Sequence, residues 1–143
     1  MRTELGRAIA IATAALDGQV DQGGQPKILH CLRVMLAVET PFQRLVAALH
    51  DVLEDAPMWS AQRLRGEGVS ADVVRVVELL TRDKAADYHA YIGRLAQDPD
   101  ARAVKLADLA DNMDTTRLPR MNEQDVERLR KYHRARAYLL ACR

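Results

Sequence analysis

A histidine and three acidic residues lie close together in one apolar segment, AALHDVLEDAP. His50 and Asp51 are adjacent, Glu54 follows three residues after Asp51, and Asp55 comes next. In a helix this spacing places the polar groups on one side of one turn. The carboxylates repel one another near the expected end of the helix, where the macrodipole disfavours negative charge. A bound cation would relieve both costs, whereas a solvated polar stripe would need no ligand, and the spacing alone leaves both interpretations open.

A second polar group interrupts the segment VKLADLADN. Lys105 lies three residues before Asp108, and Asn112 lies four residues after it, so a helix would place all three side chains on one face. One interpretation is an ordinary Lys–Asp pair, which stabilises a helix by about 0.2–0.5 kcal/mol. The other is a carboxylate ligand with a cation beside it for a phosphate group.

His30 lies between apolar residues in the segment ILHCL, where a histidine is more often a core residue than a ligand. Together with His50, Asp51 and Asp108 it would complete a set of imidazole and carboxylate ligands, which suits Mn, Fe or Zn. Such an ion lowers the pKa of a bound water and screens phosphoryl charge. These four residues therefore form the candidate metal site.

The composition indicates that helices position these residues. The chain has 143 residues, of which 22 are Ala, 18 Leu and 17 Arg, all strong helix formers. The aromatic share of 4% is low for a sheet protein. The sequence has no internal repeat and no linker long enough to separate domains. We therefore expect one all-α domain over residues 1–143, a bundle of about seven or eight helices.

Capping and turn signals give the expected limits of these helices. Four residues are predicted N-caps, namely Thr40, Ser60, Ser70 and Asn122. The predicted helices cover residues 3–16, 26–38, 40–56, 60–66, 70–80, 87–96, 100–115 and 122 to near the C-terminus. Adjacent valine pairs between residues 69 and 77 repeat every three residues, which favours a buried helix face over a strand.

Charge and cysteine content exclude several classes of protein. The formal net charge of +1 argues against a nucleic-acid coat protein or a polybasic membrane-surface protein. No apolar run approaches the roughly 18 residues of a membrane span, so we expect no membrane partner.

Cys31 and Cys142 cannot form a disulfide framework, which favours a reducing, cytoplasmic setting. The last helix is basic, and we expect a solvated outer helix rather than a nucleic-acid surface.

The order of these motifs resembles that of the HD-domain metal-dependent phosphohydrolases. The resemblance is strongest to the RelA/SpoT-like hydrolase domain that degrades ppGpp, in its small stand-alone bacterial form. The matching stretches are GQPKILHCLRVMLAV, LVAALHDVLEDA and VKLADLADNM. They lie within residues 18–113, about two thirds of the chain.

The resemblance implies a hydrolase that removes pyrophosphate from the 3′ position of a guanosine nucleotide. It implies one divalent metal ion, Mn²⁺ first with Fe, Co or Zn as alternatives, and a small nucleotide as the partner. The metal ligands would be His30, His50, Asp51 and Asp108. Glu54 and Asp55 would position and activate the attacking water. The substrate contacts would come from Lys105, Asn112 and Arg82.

The chain departs from the family pattern at four positions in and after the first loop. These are Leu16 in place of a histidine, Gln22 in place of a basic residue, Lys27 in place of a tyrosine and Cys31 in place of a proline. Basic loop residues help hold guanine in the family, so the metal chemistry is better predicted than the base. The alternatives are an HD-type hydrolase of another nucleotide and a non-catalytic nucleotide-binding or sensor module. Glu54 and Asp55 argue against the second, since a pure binder has little need of them.

Overall fold

The computed structural model describes residues 2–142. Within this range all the regular elements are helices, and there is no β-strand. The helices are α1 (Glu4–Ala15), α2 (Lys27–Ala37), α3 (Pro41–Leu49), α4 (Val52–Asp55), α5 (Ala61–Gly66), α6 (Ala71–Leu80), α7 (Tyr88–Leu95), α8 (Pro99–Asn112), the 3₁₀ helix η1 (Thr115–Arg117) and α9 (Glu123–Ala141). The predicted all-α fold class is therefore confirmed.

Polar side chains determine where several helices begin. The hydroxyl groups of Thr40, Ser60 and Ser70 each accept a hydrogen bond from a backbone N–H in the first turn of α3, α5 and α6. Asn122 and Asp125 form a reciprocal capping box at the start of α9. All four predicted N-caps are confirmed, because each satisfies a donor that the helix itself leaves unpaired.

The third predicted helix is interrupted in the structure. Helix α3 ends at Leu49 and α4 begins at Val52, so His50 and Asp51 lie in the turn between them. The carbonyl of Ala47 would accept from Asp51 in a continuous α-helix. It accepts instead from Nδ1 of His50 at 2.6 Å and from the His50 backbone N–H at 3.4 Å. The expectation of one helix over residues 40–56 was therefore wrong.

Helix α3 lies at the centre of the core and packs against α1, α2, α6 and α8. Its residues Val46 to Leu49 are almost completely buried. The valine pairs of α6 are also buried, as expected for one helix face. Burying one such aliphatic side chain stabilises the fold by roughly 1.5–3 kcal/mol. The core thus fixes α2, α3 and α8 relative to one another, and these helices position the polar motifs.

The loop between α1 and α2, residues 16–26, is folded back on itself. The backbone N–H of Lys27 donates to the carbonyl of Gln19 at 2.9 Å, and the Asp21 carboxylate accepts from the N–H of Gly23 at 2.9 Å. A Cβ atom on Gly23 would lie 2.8 Å from the backbone oxygen of Arg117. The α1–α2 loop therefore packs closely against η1, and only glycine fits at this contact.

None of the helices within residues 2–142 combines the length and the apolar character that crossing a bilayer requires.

Candidate active site

The polar motifs meet in one cleft of about 280 Å³. Its walls come from the α1–α2 loop, α2, the α3–α4 turn, α4, the end of α6 and the segment after it, α7, α8, η1 and α9. All nine residues that the sequence singles out line it: His30, His50, Asp51, Glu54, Asp55, Arg82, Lys105, Asp108 and Asn112. Their individual functions stay predictions, but their assembly in one place is a property of the fold.

The four candidate metal ligands converge on the floor of this cleft. Nε2 of His30 lies 2.9 Å from Oδ1 of Asp108 and 3.6 Å from Oδ2 of Asp51. Nε2 of His50 lies 3.4 Å from each of the same two carboxylate oxygens. Possible ligand atoms of His30, His50 and Asp51 all lie within 4.8 Å of one another. This cluster could hold a metal ion.

The hydrogen bonding of His50 tests whether an ion fits. Its Nδ1 contacts the Ala47 carbonyl, which can only accept, so Nδ1 carries a proton and Nε2 is the ring atom directed at the carboxylates. Nε2 is buried and has no hydrogen-bond partner among the described residues. Burial favours the neutral ring, but Asp51 and Asp108 outweigh it and raise the pKa of His50, so this position favours positive charge. A cation between these groups would satisfy all of them.

Asp111 is a site residue that the sequence analysis missed. Its Oδ2 lies 2.6 Å from Nδ1 of His30, and Nε of Arg33 donates to its Oδ1 at 2.7 Å. Arg117 also lies 3.3 Å from this carboxylate. Burial opposes ionisation, but the bonds from His30 and Arg33 hold the pKa of Asp111 well below its usual range. With Nδ1 directed at Asp111, Nε2 of His30 faces the other ligands, as in carboxylate–histidine–metal arrangements.

Asp108 is held in place by neighbours that the sequence placed on the same helix face. Nζ of Lys105 lies 2.8 Å from its Oδ2, and Nδ2 of Asn112 donates to its Oδ1 at 3.0 Å. Burial would raise the pKa of Asp108, but Lys105 and His50 hold it well below its usual range. Lys105 and Asn112, expected as substrate contacts, therefore both orient Asp108 from positions in the cleft wall.

His30 shows how strongly the cluster attracts positive charge. Burial favours the neutral imidazole, yet hydrogen bonds to Asp108 and Asp111 outweigh it and raise the pKa of His30 to about 10. These carboxylates thus favour a positive charge at His30. A divalent ion would take over the same electrostatic function.

The two acidic residues of α4 are held differently. Oε1 of Glu54 accepts from the backbone N–H of Arg82 at 2.8 Å, and burial raises the pKa of Glu54. Asp55 forms an ion pair with Lys27, with 2.5 Å between Oδ2 and Nζ. The side-chain amide of Gln19 also donates to the Asp55 carbonyl at 3.0 Å. Glu54 is therefore held through one carboxylate oxygen and Asp55 through an ion pair, although Oδ2 of Asp55 has no regular hydrogen bond within residues 2–142.

Four cations also line the cleft and together are called its cationic wall: Arg82, Lys105, Arg128 and Lys131. Nζ of Lys131 lies 4.7 Å from the centre of the Tyr88 ring. Burial lowers the pKa of Lys131, and the other cations lower it further. Oη of Tyr88 is buried and has no hydrogen-bond partner among residues 2–142. Helix α9 is largely exposed, as expected, but it also contributes two cations to the cleft, which the sequence analysis did not foresee.

The four departures from the family pattern fall into two groups. Gln22 and Lys27 line the cleft, whereas Leu16 and Cys31 are buried. Sγ of Cys31 lies 3.9 Å from Oδ2 of Asp51, and burial together with this carboxylate raises the pKa of the thiol. The first pair can therefore contact a ligand in the cleft directly, whereas the second pair is buried and does not line it.

Comparisons with known proteins identify the fold. No protein-family model matches the chain. No curated protein matches it either. A solved structure described as "A metazoan ortholog of SpoT hydrolyzes ppGpp and plays a role in starvation responses" superposes with a TM-score of 0.80 at 18% sequence identity. The match covers 99% of this chain and 88% of the metazoan one. The chain therefore shares its all-helical fold with that solved structure.

Proposed function

We propose that the protein is a metal-dependent phosphohydrolase that removes pyrophosphate from a nucleotide, with ppGpp as the leading substrate. The observation that supports this most is the buried, unpartnered Nε2 of His50, which faces two carboxylates in a cleft that also contains cations. The proposed ligands of one divalent ion, Mn²⁺ first and Fe, Co or Zn as alternatives, are His30, His50, Asp51 and Asp108. The shared fold with a ppGpp hydrolase supports the same proposal.

The chemistry requires a water, a proton acceptor and stabilisation of phosphoryl charge. The metal, when bound, supplies a water of lowered pKa and screens the phosphate. Glu54 uses Oε1 for the Arg82 N–H, which leaves Oε2 to take the proton of the attacking water. Asp55, fixed by Lys27, orients that water. The water oxygen bonds to the phosphorus next to the 3′ oxygen, the P–O bond breaks, and the 3′ oxygen takes a proton.

The cationic wall supports a substrate with more than one phosphate group. Arg82 and Lys131 both lie near the ring of Tyr88, at 5.5 Å and 4.7 Å from its centre. Neither forms an ion pair with a described carboxylate, so both are available to a polyanion. Tyr88 can add a hydrogen bond from its hydroxyl group. A nucleotide such as ppGpp, with pyrophosphate groups at its 3′ and 5′ positions, matches this charge distribution.

A metal analysis joined to a nucleotide panel tests the proposal. The purified protein is expected to bind one Mn²⁺ and to hydrolyse ppGpp only with metal present. Glu54→Gln should lower kcat by about 10²–10⁴-fold while Mn²⁺ stays bound. Asp51→Ala should lose the metal. Glu78→Gln, a change of an exposed glutamate on α6, is the matched control and should behave as the wild type.

Two results would contradict the proposal. The first is a protein that binds no Mn, Fe, Co or Zn and whose metal content Asp51→Ala leaves unchanged. The second is tight nucleotide binding without turnover in added metal, which would identify a non-catalytic sensor module. A ppGpp rate no higher than that of other nucleotides would shift the assignment to an HD-type hydrolase of another nucleotide. Gln22, in the cleft wall where the family has a basic residue, is the observation that favours that alternative.

A further inference from the structure

A second cluster of carboxylates lies beside the proposed metal centre and shares Asp51 with it. Oxygen atoms of Asp51, Glu54 and Asp55 all lie within 4.8 Å of one another. Three carboxylates this close repel one another strongly unless a cation lies among them. The cluster therefore needs positive charge in addition to any ion held by the histidines.

That charge is already present as a side chain. Nζ of Lys27 lies 2.5 Å from Oδ2 of Asp55, and the side chains are only 24% and 17% exposed. Burial opposes the charged amine, but Asp51 and Asp55 outweigh it and raise the pKa of Lys27. The ammonium group is thus a permanent part of the cluster at neutral pH.

The backbone holds Lys27 in this position. Lys27 is the first residue of α2, and its N–H donates to the carbonyl of Gln19 at 2.9 Å. The Gln19 side chain in turn donates to the Asp55 carbonyl at 3.0 Å. His30 lies three residues further along α2, on the same side of the helix. One helix thus brings a metal-ligand candidate and the ammonium group to adjacent carboxylates.

We propose that Lys27 is a positioning residue whose ammonium group occupies the cation position of the Asp51–Glu54–Asp55 cluster and fixes the Asp55 carboxylate toward the reacting water. The part of this inference that concerns the water rests on the proposed function. The centre then needs one divalent ion rather than two. The family pattern has a tyrosine here, so this cation is a feature of this chain.

The experiment compares Lys27→Met, which removes the charge, with Lys27→Arg, which keeps it. Bound Mn²⁺ is counted by equilibrium dialysis with electron paramagnetic resonance of the free ion, and kcat and KM are measured on ppGpp or the best nucleotide of the panel. Lys84→Met, a change of an exposed lysine outside the cleft, is the matched control. Thermal unfolding of each variant checks that the fold is retained.

We expect one Mn²⁺ per chain in the wild type, in Lys27→Arg and in Lys84→Met. Lys27→Met should bind a second, weaker Mn²⁺ among the three carboxylates. Its kcat should fall by about 10²-fold, the cost of misplacing a reacting group by about 1 Å, with KM within about twofold of the wild type. Lys27→Arg should recover most of the lost kcat.

An unchanged Mn²⁺ count in Lys27→Met would overturn the inference, and so would a rise in KM with kcat unaffected, because Lys27 would then contact the substrate instead. The metal count does not depend on turnover. A second ion in Lys27→Met, found with a wild type that hydrolyses none of the nucleotides, would therefore support the cation position while contradicting the proposed function.

Discussion

At the scale of single residues, Asp111 determines how His30 can act. It lies against Nδ1 of His30 and is itself held by Arg33 and Arg117. The bond to Nδ1 fixes the orientation of the ring and makes its other nitrogen a better electron donor. A metal centre at His30 would therefore depend on a carboxylate that is not itself a ligand.

Asp111→Asn is expected to weaken Mn²⁺ binding by about 10–100-fold, because partners of this kind contribute that much to metal affinity. A Mn²⁺ titration of the purified variant measures the change. Asp114→Asn is the matched control, since Asp114 also contacts Arg117 but is exposed and is not bonded to His30. Equal affinity in Asp111→Asn and the wild type would contradict the assignment, and so would the same loss in both variants.

The sequence predicted the residues of this site that form local patterns. His50, Asp51 and Glu54 stand out because their spacing places polar groups together within an apolar helix. Asp111 does not, because an aspartate three residues after Asp108 is common on a helix surface. Its partner His30 lies 81 residues away in the chain. Only the packing of α2 against α8 reveals that bond.

At the scale of the elements, the turn between α3 and α4 shows how the site changes local structure. The two residues of this turn, His50 and Asp51, are neither glycine nor proline, so helix propensity gives no reason to expect a break there. The break follows from the imidazole of His50, because its Nδ1 contacts the Ala47 carbonyl. In a continuous helix that carbonyl would accept the next backbone hydrogen bond. The helix caps were predictable, by contrast, because each depends on residues within one turn.

The N-terminus of α8, the helix that carries Asp108, offers a prediction at this scale. Asp98 accepts hydrogen bonds from the N–H groups of Asp100 at 2.9 Å and Ala101 at 3.0 Å, and from Arg75 at 3.1 Å. Asp98→Ala should lower the free energy of unfolding by about 1 kcal/mol at pH 7, the usual cost of losing such a cap. Urea unfolding followed by circular dichroism measures it, and an unchanged midpoint would contradict the assignment.

The pH dependence of this contribution has a definite sign. Burial opposes ionisation of Asp98, but bonds from Ala101, Arg75 and Asp100 outweigh it and lower its pKa below the ordinary 3.8. The ionised group therefore stabilises the fold fully above that value and loses its contribution as the pH falls through the lowered pKa. Asp98→Asn keeps a capping oxygen but not the charge. Its deficit relative to the wild type should be present at pH 7 and shrink below pH 3.8.

At the scale of the whole molecule, a net charge of +1 conceals a cleft that is densely lined with charges of both signs. Carboxylates line this cleft, and α9 adds two cations to its lining, Arg128 and Lys131. The amphipathic pattern of α9 was visible in the sequence, but its packing against α7 and α8 was not. That packing decides which of its basic residues face the cleft and which face solvent.

Lys131→Met is expected to raise KM for the nucleotide by about tenfold, equivalent to about 1.4 kcal/mol, with a smaller effect on kcat. The difference in KM between this variant and the wild type should shrink at high salt. Salt screens the attraction between Lys131 and the nucleotide, which only the wild type has. Arg134→Met, on the exposed side of the same helix, should leave KM unchanged. Steady-state kinetics at two ionic strengths measures these effects. An equal change in both variants would indicate a general effect of surface charge.

Cys31 is buried next to Asp51, so the rate of its chemical labelling can report motion at this centre. Alkylating reagents attack the thiolate, and this thiol is both inaccessible and disfavoured as an anion. It can therefore be labelled only while α2 separates from its neighbours, whereas the partly exposed Cys142 serves as an internal reference. An ion that binds only the closed centre should slow labelling at Cys31 and leave Cys142 unaffected. The labelling rate of one cysteine would then measure how often the centre opens, without any substrate.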